Sequence, residues 1–217
     1  MADKRIEICI AMFDFDSDGR ISPAKFRGFM AHHFSNISEF HHHSENSYHY
    51  PLIQYKRIDG KLSIVGIDKF ANLVSQNMSD IDHITTESEK IPVNNIAIRN
   101  STFSRFNNTF EYEFYSPWIA LNETNYEKYK QLGKSDKKNL LEKILIGNIL
   151  SMFKGLGIFI TKKVEVNIIK QSSMPITAHE NKFVGFRLNF TCNTNLPDFL
   201  GLGKSVSKGF GTIHQIK

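Results

Sequence analysis

The chain lacks any uninterrupted apolar run long enough to cross a bilayer, and no signal-peptide pattern follows Met1. We therefore expect a cytoplasmic protein without a membrane partner. Its 217 residues suffice for one large hydrophobic core or two small ones. Hydrophobic residues make up 41% and charged residues 23%, which is ordinary for a globular protein.

Cysteine is scarce as well. The two thiols, Cys9 and Cys192, both sit inside apolar, strand-like runs. Buried thiols in such a setting are the expected interpretation, because a disulfide framework or a zinc site needs more cysteines or nearby histidines at ligand spacing.

Acidic residues are rare in the last third of the chain. Residues 151–217 hold nine Lys or Arg against three Asp or Glu, whereas the preceding 150 residues are close to balance. A basic asymmetry of this kind favours a polyanionic partner. The plainer interpretation is a solvated, lysine-rich face.

A glycine-rich segment near the end of the chain sharpens that expectation. Two Gly-X-Gly pairs bracket a short polar stretch, and no acidic residue follows Asp198. Glycine permits positive φ and close backbone approach, so amide groups and lysines here can form an anion site. The expected phosphate-binding residues of this segment are Gly201, Gly203, Lys204, Ser205, Lys208, Gly209 and Gly211.

Commoner glycine motifs do not fit this segment. A Walker loop must be followed by a helix and a dinucleotide fingerprint by a complete βαβ unit, and only six residues follow Gly211. The remaining alternative is a flexible surface turn.

Hydrophobic patterning in the first half predicts alternating elements. Residues 5–13 alternate as a half-buried strand, and Ser22 with Pro23 predicts the start of a helix to about Phe34. Asp59-Gly60 is a strong hairpin signal. The other predicted elements are strands over 48–57 and 61–67 and a helix over 68–80. Strand–helix–strand–strand–helix is the order of a ferredoxin-like unit.

The second half repeats that order. The predicted elements are a strand over 110–121, a helix over 136–154, strands over 158–170 and 184–192, a short helix near 197–200, and a last strand over 209–216. Residues 81–109 are expected to hold a linker and an edge strand. We therefore predict an α+β fold of two tandem ferredoxin-like (RRM-like) domains. Residues 1–95 would carry a histidine cluster, and residues 96–217 would carry the glycine-rich loop.

Asp14–Gly19 imitates the first half of an EF-hand loop. The position that should supply the closing bidentate Glu is Lys25, and Pro23 would start a helix inside the loop. We therefore expect a turn here and no calcium site.

Three consecutive histidines, His41, His42 and His43, are the strongest candidates for chemistry. Histidine titrates nearest physiological pH, which suits general acid and base catalysis. In an extended segment residues i and i+2 point to the same side, so His41 and His43 can face one phosphate while His42 points away. A zinc site or a surface loop without a catalytic role remains open as an alternative.

Five separated segments carry a resemblance to a known family. They are Lys25–Phe29 (KFRGF), His41–His43, Tyr50–Lys56 (YPLIQYK), Ser116–Asn122 (SPWIALN) and Ile146–Met152 (IGNILSM), and the glycine-rich loop follows them. Together they resemble the sixth Cas family of repeat-associated RNA-binding proteins, in the branch found in I-B-type CRISPR systems. The similarity runs from about Ile6 to Ile213.

The resemblance implies an endoribonuclease of antiviral defence that cuts precursor CRISPR RNA, with the same tandem ferredoxin-like fold. It maps a His-x-His pair onto His41 and His43 as catalytic residues, with no cofactor and no metal. Arg27, Lys56 and Lys204 are the expected helpers for phosphate charge. The expected partner is CRISPR repeat RNA, together with other Cas effector-complex subunits, and the chain would be a monomer or a homodimer.

Two other functions stay open. A catalytically silent RNA-binding subunit of a CRISPR effector complex would share the fold and loop without the chemistry. An unrelated ferredoxin-like interaction or metal-handling protein would share only the fold. Cleavage of a repeat RNA in EDTA distinguishes all three.

Overall fold

The computed structural model describes residues 4–15, 21–40, 49–86, 89–178 and 181–216. The strands are β1 (Arg5–Asp14), β2 (Ile53–Ile58), β3 (Lys61–Ile67), β4 (His83–Thr85), β5 (Lys90–Pro92), β6 (Asn95–Ser104), β7 (Phe110–Phe114), β8 (Val166–Ala178), β9 (Asn181–Cys192) and β10 (Ile213–Ile216). The helices are α1 (Pro23–His33), α2 (Lys69–Asn77), α3 (Glu123–Gln131) and α4 (Lys134–Gly155), with 3₁₀ turns at Ser38–Phe40 and Val206–Lys208. No helix within these ranges combines the length and apolarity needed to span a membrane.

The chain divides into two compact units. The first holds Arg5–Phe103 together with Ser207–Gly209, and the second holds Ser104–Val206, the chain from Phe210 onwards and its start through Lys4. The sequence-based boundary lay between residues 95 and 96, at the start of β6. The structure places the division eight residues later, because β6 pairs with β1 as an edge strand of the first sheet.

The first unit is a four-stranded sheet in the order β2-β3-β1-β6. The predicted helix start is confirmed, since the Ser22 hydroxyl accepts the Lys25 amide at 3.2 Å and Pro23 is the first helical residue. The predicted hairpin is confirmed too, with Asp59 and Gly60 both at positive φ between β2 and β3. One sheet face packs on α1 and α2 around Phe26, Met30, Val74, Ala11, Phe13, Tyr55 and Ile64.

The second unit is a four-stranded sheet in the order β10-β7-β9-β8. The four strands of each sheet can be numbered 1 to 4 in chain order. Both sheets then have the spatial order 4-1-3-2 of the ferredoxin-like fold, as β6-β1-β3-β2 and as β10-β7-β9-β8. The predicted α+β fold of two tandem ferredoxin-like domains is confirmed. α4 supplies the buried helix face with Leu141, Leu145, Ile149, Met152 and Phe153.

Two of the segments that carry the family resemblance contact each other inside the second unit. Trp118 is fully buried, and its indole Nε1 donates to the Asn148 side-chain oxygen of α4 at 3.0 Å. A buried indole N–H needs such an acceptor. This hydrogen bond gives a physical reason for the aromatic and the amide in the segments Ser116–Asn122 and Ile146–Met152.

Several predicted element bounds in the second half are wrong. The strand expected over 110–121 ends at Phe114, before the Ser116-Pro117 turn, and α3 was missed although Asn122 caps it. The strand expected over 158–170 begins only at Val166 and runs on to Ala178. The short helix expected near 197–200 is a turn, because Phe199 takes a positive φ of 59°.

The glycine-rich loop lies in the connection between β9 and β10 of the second unit. The equivalent connection of the first unit, after its third strand, contains the helix α2. Between β9 and β10 the described chain forms turns and the loop, and its one helical element is the 3₁₀ turn Val206–Lys208. The last strand is therefore shorter than the expected 209–216, since Gly209 and Gly211 both take positive φ.

Candidate nucleic-acid interface

The base of the glycine-rich loop is held by backbone hydrogen bonds. Residues 199–202 run antiparallel to residues 211–213, with Phe199 N donating to Ile213 O at 2.8 Å and Leu202 N donating to Gly211 O at 2.8 Å. Gly201 and Thr212 form a further antiparallel bridge. The loop tip, residues 203–210, therefore projects from a fixed stem.

The tip is also shaped by close contacts. A Cβ on Gly203 would lie 2.5 Å from Trp118 Nε1 and 2.8 Å from Ile119 O, and its φ is +90°. Ser205 adopts a left-handed φ of 56° without being glycine. Such conformations persist only where the surroundings determine them, so this backbone path is a specified one.

Much of the amide donor capacity of the loop is used in this packing. The amides of Leu202, Lys204 and Gly211 donate to Gly211 O, Ile119 O and Pro117 O. The expected nest of backbone amides thus cannot rely on these three groups. The loop's full positive charges remain at its surface, where Lys204 is exposed and Lys208 is partly exposed.

The turn Ser207–Gly209 packs with the first unit. Gly209 has a φ of +94°, and a Cβ there would lie 2.8 Å from the Pro23 ring and 3.3 Å from Tyr55 O. This packing brings the neighbouring Lys208 to α1, the helix that carries Arg27. Burial, and then the Arg27 guanidinium, lower the pKa of Lys208.

Two like charges held together in this way repel each other, and an anion placed between them relieves the repulsion. The Tyr55 hydroxyl of the same unit is buried with no hydrogen-bond partner among the described residues. Burial raises the pKa of this hydroxyl and outweighs the opposing effect of Arg27. We call Arg27, Lys208 and the Tyr55 hydroxyl the cation cluster. Its arrangement suits a phosphate group.

Lys56 has a different environment from the one that we expected. Its side chain is 0% exposed, on β2 opposite Ser63 of β3. Burial lowers the pKa of Lys56 from 10.5 to about 7. A fully buried ammonium cannot touch an RNA phosphate directly, so this expected contact is not available in the structure.

The titration of Lys56 predicts a pH-dependent stability. Below pH 7 both folded and unfolded chains hold the proton, and the burial cost is fully present. Between about pH 7 and 10.5 only the unfolded chain retains it. Unfolding free energy should therefore rise with pH across this window, by up to about 1.4 kcal/mol per pH unit.

Urea unfolding at several pH values, for wild type and Lys56→Met, measures this contribution. Near pH 7 the variant should have the larger free energy of unfolding. Its free energy of unfolding should no longer rise with pH between about pH 7 and 10.5. Lys61→Met, which removes an exposed lysine paired with Asp14 on the adjacent strand, is the matched control and should keep it. Equal slopes for wild type and Lys56→Met would contradict the assignment.

The predicted catalytic residues His41 and His43 lie outside the described residues, as does His42. Within the described ranges, no three His, Cys, Asp or Glu side chains are grouped so as to hold a metal ion. The sequence suggested Arg27 and Lys208 as separate RNA contacts, and in the structure both belong to the first unit, with the turn that carries Lys208 packed against the start of α1. Tyr55 was not among the suggested residues, because an aromatic residue in a strand indicates the core and nothing in the sequence indicates an unsatisfied hydroxyl.

The fold places the chain among proteins built from two ferredoxin-like domains in tandem. A family model described as the Cas6b N-terminal domain matches residues 6–104, and one described as the Cas6b C-terminal domain matches residues 104–216. The chain belongs to the Cas6b family.

Relatives and solved structures agree with that membership. An uncharacterized protein of Methanocaldococcus jannaschii is 44% identical over 120 residues, which is 55% of this chain and 82% of that protein. A crystal structure of Cas6b matches at a TM-score of 0.87 and 29% identity, covering 98% of this chain and all of the other. A CRISPR RNA processing endoribonuclease Cas6b matches at a TM-score of 0.78 and 30% identity, with the same coverage.

Proposed function

We propose that this chain is an endoribonuclease that cleaves precursor CRISPR RNA within its repeats to release guide RNAs. The observation that carries the proposal is the packing of Gly209 against Pro23 and Tyr55, which brings the glycine-rich loop and its Lys208 to the helix that carries Arg27. Neighbouring cations attract a polyanion, and RNA phosphates supply one. A family member named as a CRISPR RNA processing endoribonuclease supports the choice of RNA.

The proposed reaction uses the RNA's own 2′-hydroxyl as the nucleophile. One imidazole of His41 or His43 removes the 2′-proton, and the other protonates the departing 5′-oxygen. The phosphorus–5′-oxygen bond breaks as the new bond to the 2′-oxygen forms. The products therefore end in a 2′,3′-cyclic phosphate and a 5′-hydroxyl, and no metal-activated water is required.

Arg27 and Lys208 are proposed to hold the RNA backbone electrostatically, and Lys204 adds charge from the exposed side of the loop. We assign no direct phosphate contact to Lys56, which acts on this surface only through the stability of β2. The glycines at 203, 209 and 211 fix the path that presents the two loop lysines, and Gly201 pairs with Thr212 in the loop stem.

Single-turnover cleavage of a repeat RNA in excess EDTA tests this function. We expect one cut per repeat and the two product ends named above. Binding without cleavage would favour the silent RNA-binding subunit. A chain that neither binds nor cleaves the repeat RNA would overturn the proposed function.

Replacing Lys204 and Lys208 together by alanine should weaken RNA binding and flatten its salt dependence. Each lost phosphate contact should reduce the slope of log K against log salt by about 0.7–0.9. Titrations at several salt concentrations measure the slope. The double variant Lys128→Ala with Lys134→Ala, which removes two exposed lysines from α3 and α4, is the matched control. An unchanged slope in the loop variant would remove the loop from the interface.

A further inference from the structure

The first unit contains a cavity of about 750 Å³ that opens between α1 and the short β4–β5 hairpin. We call it the α1 pocket. The side chains that matter for its chemistry are Lys25, Phe29, His32, His33, His83 and Glu89.

One wall of the α1 pocket is aromatic. Phe29 and His33 are one helical turn apart on α1, and their ring centroids lie 5.3 Å apart. His33 also meets Phe34 edge-on, with ring centroids 4.7 Å apart. These rings present an aromatic surface on which a flat ligand ring can stack.

The other groups of the pocket are polar and carry both signs of charge. Lys25 and His32 are exposed on α1. On the hairpin, the His83 ring contacts the Asp82 carboxylate, and the Thr86 amide donates to Glu89 O at 2.8 Å to close the turn. Glu89 disfavours a ligand that is only an anion, while Lys25 and the aromatic wall favour one with both a phosphate and a ring.

We propose that the α1 pocket binds a single unpaired nucleotide of the RNA substrate. Its base stacks on Phe29 and His33, Lys25 takes the phosphate, and Glu89 accepts from the base edge. Specific RNA recognition by proteins uses unstacked bases in this way, and the volume lies within the usual range for a ligand pocket. The proposal rests on the proposed function, because the nucleotide comes from the RNA that the chain cleaves.

A double-mutant cycle that combines substitutions in the protein with abasic sites in the RNA tests the pocket. Repeat RNAs with one abasic nucleotide at each unpaired position in turn are titrated against wild type, Phe29→Leu and Phe29→Tyr. We expect one position in the RNA at which removal of the base weakens binding about tenfold, as Phe29→Leu does. The two effects on the binding free energy should not be additive when the changes are combined. Phe29→Tyr keeps an aromatic face and should bind as wild type does.

A second pair of variants avoids the partly buried Phe29. Lys25→Ala with His32→Ala should weaken RNA binding, and the effect of the abasic position should persist, since the stacking wall is intact. Lys69→Ala removes an exposed lysine of α2 outside the pocket and serves as the control for the loss of charge.

The outcomes separate this proposal from the function on which it rests. Wild type that binds and cuts the repeat while no abasic position couples to Phe29 overturns the pocket alone. Wild type that neither binds nor cuts overturns both. A free mononucleotide that binds wild type, loses affinity for Phe29→Leu and does not compete with repeat RNA would overturn the assignment to the RNA strand.

Discussion

Alanine at His41 or at His43 should slow single-turnover cleavage of a repeat RNA by about 10²–10⁴-fold, the usual contribution of one general acid or base. Affinity for the RNA should change little, because a neutral imidazole contributes less to phosphate binding than Lys or Arg. Rates measured with enzyme in excess, beside a binding titration of each variant, separate the two quantities.

His42→Ala is the matched control, since it changes the same residue type at the spacer position. It should be the mildest of the three changes if the segment is extended and alternate side chains share one side. A larger loss for His42→Ala than for its neighbours would overturn the assignment of roles. Cleavage that stops in EDTA and returns with magnesium would overturn the metal-independent mechanism.

Gly211→Ala should destabilise the protein by more than about 3 kcal/mol, through backbone strain combined with overpacking. The φ of Gly211 is +65°, and a Cβ there would lie 1.9 Å from Leu202 O. The contacted atom is backbone in the loop stem, so no side-chain rotation relieves the overlap. Thermal or urea unfolding of the variant measures the loss, and RNA binding should fall with it as the loop loses its path.

Gly147→Ala provides the control for this substitution. Gly147 lies in α4 with nothing within 4 Å of the position of a Cβ. Alanine there should stabilise the protein by about 0.5–1 kcal/mol, because glycine is a poor residue for a helix interior. If Gly211→Ala were as well tolerated as Gly147→Ala, the positive φ and close packing of the loop stem would be refuted.

Periodicity was enough to predict β1, β9 and α4, because apolar residues recur along them at the strand or helix spacing. β3 is buried on both faces, and the Asp59-Gly60 hairpin signal located it instead. α3 was not predicted because none of its residues is buried, so it has no apolar stripe to detect. The turn at Phe199 was not predicted for another reason. A bulky residue at positive φ is determined by its tertiary surroundings rather than by local preference.

The candidate interface was predicted as separate residues and not as an arrangement. Residue type and glycine spacing suggested Lys204 and Lys208, and Arg27 was expected as a helper for phosphate charge. Nothing in a linear pattern brings the turn that carries Lys208 to α1, since that depends on Gly209 packing against Pro23. Lys56 illustrates the converse limit, because its charge indicates a surface residue while the sheet buries it completely.

The first unit is discontinuous in the sequence, and this limits how the chain can be divided. A fragment that ends at Phe103 lacks Ser207–Gly209, and with it the packing of Gly209 against Pro23. A fragment that starts at Ser104 keeps Lys208 but not Arg27 or Tyr55. Recombination at the junction would therefore separate Lys208 from the other two members of the cation cluster. The two halves can resemble each other as folds, yet the proposed binding surface is complete only when both are inherited together.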